Sequence, residues 1–272
     1  MMYLTKFRFV FILIGLFSFL ACEKSIDWEL QELDNPKLVV EAILTNENQV
    51  QEILLSQTFS DLNGETPHIT DALVSVEANG VLYNFLSDLQ QPGLYKSEIP
   101  FAVVADLEYT LHINWQGADY NAKSTLSTVT PIPPVSFLPV AGTDSLLLSN
   151  FVPPFSGNQQ SMYQVDIDWA HISSDSLTHA RLYFYTFSSI HISELLPPTK
   201  EVVQFPKGSI VFIKKFGLNE GFAEYLRSKA IETDWNGTFF YSTSDNLPTN
   251  LSNGALGFFS TCAVLTEVLI AE

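Results

Sequence analysis

The sequence predicts a mainly β fold made of two antiparallel β domains, the second of which is β-rich with one short helix. Short runs of alternating apolar and polar residues, separated by turn formers, occur on both sides of a proline-rich segment at 128–137. Residues 218–232 show helical spacing instead. Apolar residues make up 46% of the chain and aromatic residues 13%, which is typical of a packed protein and not of a disordered stalk.

Residues 36–130 are predicted to form an immunoglobulin-like or transthyretin-like sandwich, because about seven strand-like runs follow one another there. The clearest joint is Asn79-Gly80, a dipeptide that favours a type I′ hairpin turn. A two-residue turn at this point predicts three strand pairs on one sheet face: Ala78 with Val81, Val76 with Tyr83, and Val74 with Phe85.

The boundary between the two domains is predicted at the start of the proline-rich segment. Pro131, Pro133 and Pro134 disfavour a helix and cannot donate to a sheet ladder. One continuous sandwich, whose linking strand lies at a sheet edge, is the alternative interpretation.

Residues 131–272 are predicted to form the second domain. Its strands include "MYQVDIDWAHI" and "HARLYFYTFS", and Asn219 is the expected N-cap of its helix. The closing segment "ALGFFSTCAVLTEVLIAE" is apolar on both faces. This pattern predicts a central strand or a pair of strands, with Cys262 buried.

The N-terminus has the pattern of a secretory signal peptide at residues 1–21. Lys6 and Arg8 precede an apolar run at 9–20, which is too short to cross a bilayer as a helix. Cleavage after Ala21 would leave Cys22 as the N-terminal residue, available for lipidation. Residues 22–35 are rich in acids and are interpreted as a tether. An ordinary cleaved signal, or a disulfide between Cys22 and Cys262, is the alternative.

The formal net charge of −17 excludes several kinds of partner. Loss of residues 1–21, which contain two basic residues and no acid, would take it to −19. An acidic surface without Lys and Arg clusters does not bind nucleic acid. It also does not attach to anionic lipid by charge, so we expect the acyl chains to provide the link to the outer membrane.

No catalytic, metal or cofactor motif is found in the sequence. Asp166 and Asp168 share one strand face, where they could bind calcium or act as acid and base; a hydrated outer face is the simpler interpretation. His171 and His179 could meet across the turn between their strands, or be ordinary solvated histidines. Neither pair is assigned a catalytic or metal-binding role.

The polar segment at 232–254 is the predicted recognition surface. Trp235 lies between Asp234 and Asn236, and adaptable polar residues around an exposed aromatic tend to contact a partner or ligand. The alternative is that Trp235 folds back as a plug beneath the loop. The other residues of the predicted surface are Asn246, Asn250 and Asn253.

Three segments resemble a family of bacterial outer-membrane lipoproteins known as domain of unknown function 4249. They are "CEKSIDWELQELDNPKLVVEAILT", "PGLYKSEIPFAVVADLEYTLHI" and "NLPTNLSNGALGFFS". The resemblance implies an anchor on the periplasmic or extracellular face and association with a TonB-dependent receptor. It indicates a non-catalytic binding or accessory component of uptake. The alternatives are a structural or adhesive surface module and, third, a hydrolase assembled from distant residues.

Cys22 is predicted to be the acylated N-terminus of the mature protein. Mass spectrometry of the N-terminal peptide should show a diacylglyceryl group on its thiol. An unmodified Cys22, or cleavage at another bond, would contradict the prediction.

Overall fold

The computed structural model describes residues 36–58, 64–173, 177–189, 202–233 and 247–272, with the backbone alone at 231–233. The predicted signal peptide at 1–21, Cys22 and the tether lie outside these residues. Within them the chain forms fifteen strands and one helix. The prediction of a mainly β protein with one short helix is therefore confirmed.

Eight strands form one sheet in the order β14-β1-β2-β5-β4-β3-β6-β7. Its two outermost strands, β14 and β7, contact each other, so the sheet is nearly closed and barrel-like. A hydrogen bond of 2.9 Å from Thr261 N to Ser124 Oγ joins these two edges. The strands are β1 (Leu38–Thr45), β2 (Glu52–Gln57), β3 (Leu73–Ala78), β4 (Val81–Ser87), β5 (Leu94–Ser97), β6 (Glu108–Trp115), β7 (Ala118–Thr125) and β14 (Leu256–Cys262).

The other strands form two smaller antiparallel sheets. The four-stranded sheet has the order β11-β10-β13-β15, and the three-stranded sheet has the order β12-β9-β8. The strands are β8 (Phe137–Pro139), β9 (Ser145–Leu148), β10 (Gln160–Asp168), β11 (His179–Thr186), β12 (Gln204–Pro206), β13 (Ile210–Leu218) and β15 (Val264–Ile270). The helix, α1, spans Glu220–Thr233 and lies between β13 and β14 in the chain.

The predicted hairpin is confirmed in its turn and in its register. Asn79 and Gly80 have φ angles of 49° and 75°, as a type I′ turn requires. All three predicted pairs are observed, together with Ser75–Asn84 and Glu77–Leu82 on the opposite face. The Asn79-Gly80 turn therefore sets the pairing of β3 with β4 in the barrel-like sheet.

The predicted helix cap is also confirmed. Asn219 Oδ1 accepts a hydrogen bond of 2.8 Å from the amide of Phe222, which would otherwise be an unsatisfied donor in the first turn. Phe222 and Tyr225 bury one side of α1. No helix within the described ranges is long and apolar enough to cross a membrane.

The first seven strands do not form the predicted sandwich. They lie in a single sheet, and β14, from the other end of the chain, completes it by pairing with β1 in parallel. An inward-outward alternation is the same in a sandwich and in a barrel, so the strand pattern did not distinguish them. The predicted closing pair of strands is β14 and β15, and Cys262 is fully buried at the end of β14, as predicted. Only β14 is buried on both faces; β15 lies at the edge of the four-stranded sheet and is largely exposed, because a partner strand covers just one of its sides. Burial raises the pKa of the Cys262 thiol to about 12.

Three apolar clusters stabilise the described chain. The first fills the barrel, the second lies on one face of the four-stranded sheet, and the third lies between the opposite face, α1 and the outside of β14. β14 belongs to two of them, because Phe259 points into the barrel and Phe258 packs in the third cluster. One strand thus connects the two largest sheets.

The proline-rich segment is held against the four-stranded sheet by a buried lysine. Lys215 Nζ donates to Thr130 Oγ1 at 2.8 Å and to Pro131 O at 3.1 Å. Burial lowers the pKa of this amine. Residues 35–272 form one compact unit, and the division into separate domains at 36–130 and 131–272 stays a prediction.

Gly257→Ala is predicted to destabilise the protein severely, because β14 approaches β1 most closely at this residue. Gly257 has φ +91°, and a Cβ atom would lie 2.0 Å from Val40 O. We expect backbone strain of about 1–3 kcal/mol, with overpacking adding about 1–3 kcal/mol. Denaturant unfolding of the full chain measures the loss.

Gly254→Ala is the matched control. Gly254 has φ +72° but no atom within 4 Å of the added methyl, so only the strain remains. Equal losses in the two variants would show that the close approach of β14 to β1 contributes nothing.

Candidate functional site

A groove lies between the outer surface of the barrel-like sheet and the four-stranded sheet. Its volume is about 790 Å³. β1, β2 and the turn between them form one wall, the outer face of β10, β11 and β13 forms the floor, and α1 with β14 closes one end. A second concavity of about 680 Å³ lies over β3, β4, β6 and β7, where mainly short polar side chains surround Leu73, Phe85 and Leu86. The aromatic content of the first groove makes it the better candidate for binding.

Strand register determines the groove floor. Tyr163, Val165 and Ile167 of β10 point into the second apolar cluster, so the intervening residues face the groove side. Gln164 is paired with Tyr183 on one side and with Lys214 on the other. Directly paired residues share a face, so these three side chains form a row across the sheet.

Aromatic side chains form the closed end of the groove. The ring of Phe258 lies 5.3 Å from that of Phe222 and 5.4 Å from that of Tyr225, measured between centroids. Phe216 packs in the same cluster. Burial raises the pKa of the Tyr225 phenol, which therefore stays neutral at physiological pH. This end provides a rigid apolar surface with a neutral phenol.

Two ion pairs join the β1–β2 wall to other sides of the groove, one to α1 at the closed end and one to β13 in the floor. Lys229 of α1 lies 3.1 Å from Glu41 Oε1 of β1, and Lys214 of β13 lies 2.9 Å from Glu47 Oε2. Burial disfavours the charged form of Lys229, but the electrostatic influence of Tyr225 and Glu41 and the hydrogen bond to Glu41 outweigh it. The pKa of Lys229 is consequently raised. Each of the two lysines is thus matched by a carboxylate.

These contacts would allow the groove to bind an amphipathic molecule. Tyr183 is 47% exposed and offers a ring face, while Gln164 beside it offers its carbonyl oxygen, since its amide nitrogen donates to Asp166 Oδ2 at 2.6 Å. The two ion pairs match the charges of Glu41 and Glu47, while Glu52, which also lines the groove, lies 3.9 Å from Lys96. Within the described ranges, no group of three or more His, Cys, Asp or Glu residues is arranged to hold a metal ion.

Asn250 and Asn253, two of the predicted recognition residues, make hydrogen bonds to the barrel. Asn250 Nδ2 donates to Phe259 O at 2.8 Å and to Lys123 O at 3.1 Å, and its Oδ1 accepts from Phe259 N at 3.1 Å. Asn253, with φ 59°, donates to Asp119 O at 3.0 Å. These bonds hold the segment before β14 against β7, and the contact role of both residues stays a prediction.

The remaining predicted recognition residues, Trp235, Asp234, Asn236 and Asn246, lie outside the described residues. Sequence reasoning also did not identify the groove. Its ion pairs join residues 167 and 188 positions apart in the chain. The available local signal was the pair Tyr183 and Tyr185, two aromatics on the same face of one strand.

The acids and histidines of the four-stranded sheet have structural partners. Asp166 pairs with Arg181 and lies 3.6 Å from His179 Nε2. Burial opposes ionisation of Asp166, but hydrogen bonds from Arg181 and Gln164 outweigh it and lower its pKa. Asp168 accepts from the amide of Ala170, and the His171 ring lies 3.1 Å from a backbone oxygen, that of Gly208. The two histidines thus have different partners.

Comparison with protein families gives a match that covers most of the chain. Residues 23–267 match the family described as a domain of unknown function (DUF4249). No protein with a curated functional description matches this chain. The matched range includes the wall, the floor and the closed end of the groove, and most of β15. The chain therefore belongs to the DUF4249 family of proteins.

Proposed function

We propose that this protein is a non-catalytic, lipid-anchored lipoprotein of the outer membrane that binds a ligand for a TonB-dependent uptake system. The groove between the barrel-like and four-stranded sheets is the observation that carries the proposal. It combines an open volume of about 790 Å³ with aromatic side chains on the floor and at the closed end and with a few polar groups. Ligand sites are commonly concave, mostly apolar and supplied with a few convergent polar groups.

The anchoring part of the proposal is supported by the N-terminal sequence. A basic start, a short apolar run and a cysteine after Ala21 are the parts of a lipoprotein signal. Lipid anchoring suits a chain with a net charge of −17, which anionic lipid would repel. The resemblance to outer-membrane lipoproteins supports the location and the receptor partner.

The groove contacts favour an amphipathic ligand without strong net charge. A highly charged ligand would have to break the Lys229–Glu41 or Lys214–Glu47 pair to find a counter-ion. An apolar or aromatic part would instead pack against Tyr183 and the rings at the closed end. Hydrogen bonds to Gln164 would orient the polar part.

Tyr183→Ala is predicted to weaken retention of a small molecule by the protein. Native mass spectrometry of the full-length chain, extracted from its own membrane, should show a bound species in the wild type. Loss of one exposed aromatic contact should weaken binding about tenfold, since such a contact contributes roughly 1 kcal/mol or more. Phe155→Ala is the control, because Phe155 is also 47% exposed and lies outside the groove lining. Equal retention by all three proteins contradicts a groove ligand.

Recovery of a TonB-dependent receptor tests the partner independently of the ligand. A tagged wild-type chain should co-purify with such a receptor from solubilised membranes. If Trp235 contacts the partner, Trp235→Ala should lower recovery and leave the melting temperature unchanged; as a buried plug it should instead cost about 3–5 kcal/mol of stability. Absence of any receptor from the wild-type sample contradicts the uptake proposal and favours a structural or adhesive surface module.

A further inference from the structure

One edge of the four-stranded sheet carries backbone groups that lack strand partners in the described part of the chain. β15 is the outermost strand, and its only ladder there is with β13. Ala263 O and Ala271 N bond toward β13, to Gly217 N and Ser209 O. Because backbone direction alternates along a strand, Thr266, Val268 and Ile270 direct their amide and carbonyl groups away from the sheet.

The start of this edge is closed by a side chain, whereas the remainder has no hydrogen-bond partner among the described residues. The outward amide of Val264 donates to Asn46 Oδ1 at 2.7 Å. No hydrogen bond is found from the outward amides of Thr266, Val268 or Ile270 to any described residue. About five residues of strand are therefore able to pair with another chain.

The open edge also presents apolar side chains. Val268 is 54% exposed and Ile270 is 62% exposed. Val268 is paired with Phe212 of β13, which is 42% exposed and lies on the same face. An edge with unpaired backbone groups and a neighbouring apolar strip is suited to strand addition, in which backbone bonds provide affinity and side chains provide specificity.

The opposite edge of the same sheet is different. β11 exposes His179 and Arg181, and both of these side chains lie close to Asp166 of β10. Charged side chains on an edge strand oppose pairing with another chain. β15 contains no Lys, Arg or His. β15 carries one charged side chain, that of the acid Glu267, and no basic side chain such as Arg181, so β15 is the edge that would admit a partner strand of opposite charge.

Charge determines the kind of partner. The acids on or just after β15 are Glu267 and Glu272, and the whole chain carries −17. Two copies joined through β15 would bring like charges together, whereas a basic strand would be attracted. We propose that β15 accepts an extended segment of a partner protein in which apolar residues alternate with basic ones. This inference does not depend on a ligand in the groove.

Hydrogen exchange of the full-length chain in detergent, with two synthetic peptides as probes, tests the inference. In one peptide valine alternates with lysine, and in the other valine alternates with glutamate. The lysine peptide should protect the amides of Thr266, Val268 and Ile270, and the glutamate peptide should not. Protection of a different edge, no protection, or equal protection by both peptides would overturn the proposal.

Two variants and a matched control complete the test. Val268→Lys introduces a like charge against the basic peptide and should weaken its binding about tenfold or more. Thr266→Pro removes an outward donor without removing a bond to β13, and should weaken binding of the same peptide. Leu82→Lys is the control, since Leu82 is 56% exposed but lies on β4, which has neighbours on both sides. If Leu82→Lys weakened binding of the lysine peptide as much as Val268→Lys does, the proposal that the peptide binds at the edge of β15 would be rejected.

Sedimentation of the wild type tests whether a second copy of this chain, and not a different protein, occupies the edge of β15. A monomer supports a heterologous strand. A dimer that Val268→Lys dissociates would show that a second copy occupies β15, and would overturn the proposed partner.

Discussion

The parallel pairing of β14 with β1 is the interaction on which the described structure depends. It aligns Val39 with Leu256 at one end and Thr45 with Cys262 at the other. The pairing closes the eight-stranded sheet against β7 and carries Phe258 to the outside of the barrel, where it meets α1. Gly257 permits this contact, since any side chain there would collide with the backbone of Val40. β14 is therefore buried on both faces, as strands of parallel sheets generally are, and contributes side chains to two apolar clusters.

The groove is a consequence of that pairing, and apolar packing contributes more to it than charge does. The two ion pairs across the groove are partly exposed, and such pairs typically contribute about 0–1 kcal/mol each. Burying one large aromatic side chain contributes more, on the order of 2–3 kcal/mol. Phe222, Tyr225 and Phe258 therefore determine how the helix sits on β14. Lys214 and Lys229 provide the counter-charges of Glu47 and Glu41.

The candidate site was less accessible to sequence reasoning than the fold. Asn250 was identified as an adaptable polar residue in a turn-rich segment, but its amide makes three hydrogen bonds to the barrel. Composition does not distinguish an asparagine that contacts a ligand from one that satisfies backbone groups, because both occur among turn formers. Tyr183 and Lys214 belonged to ordinary alternating strands. Only the strand register, which places Gln164 between them, shows that the two side chains lie in one row on the groove floor.

The sequence by itself determined the elements whose cause is local. Asn79-Gly80 specified a hairpin with its register, Asn219 specified the start of a helix, and the apolar run around Cys262 specified burial, because each depends on neighbouring residues alone. Tertiary structure decided the barrel, the groove and the open edge at β15. The barrel and the groove require contacts between segments more than a hundred positions apart, such as β1 with β14, whereas the edge at β15 follows from the place of that strand beside β13 in the four-stranded sheet. Alternation along a strand shows which residues are buried, but it does not show which strand will cover them.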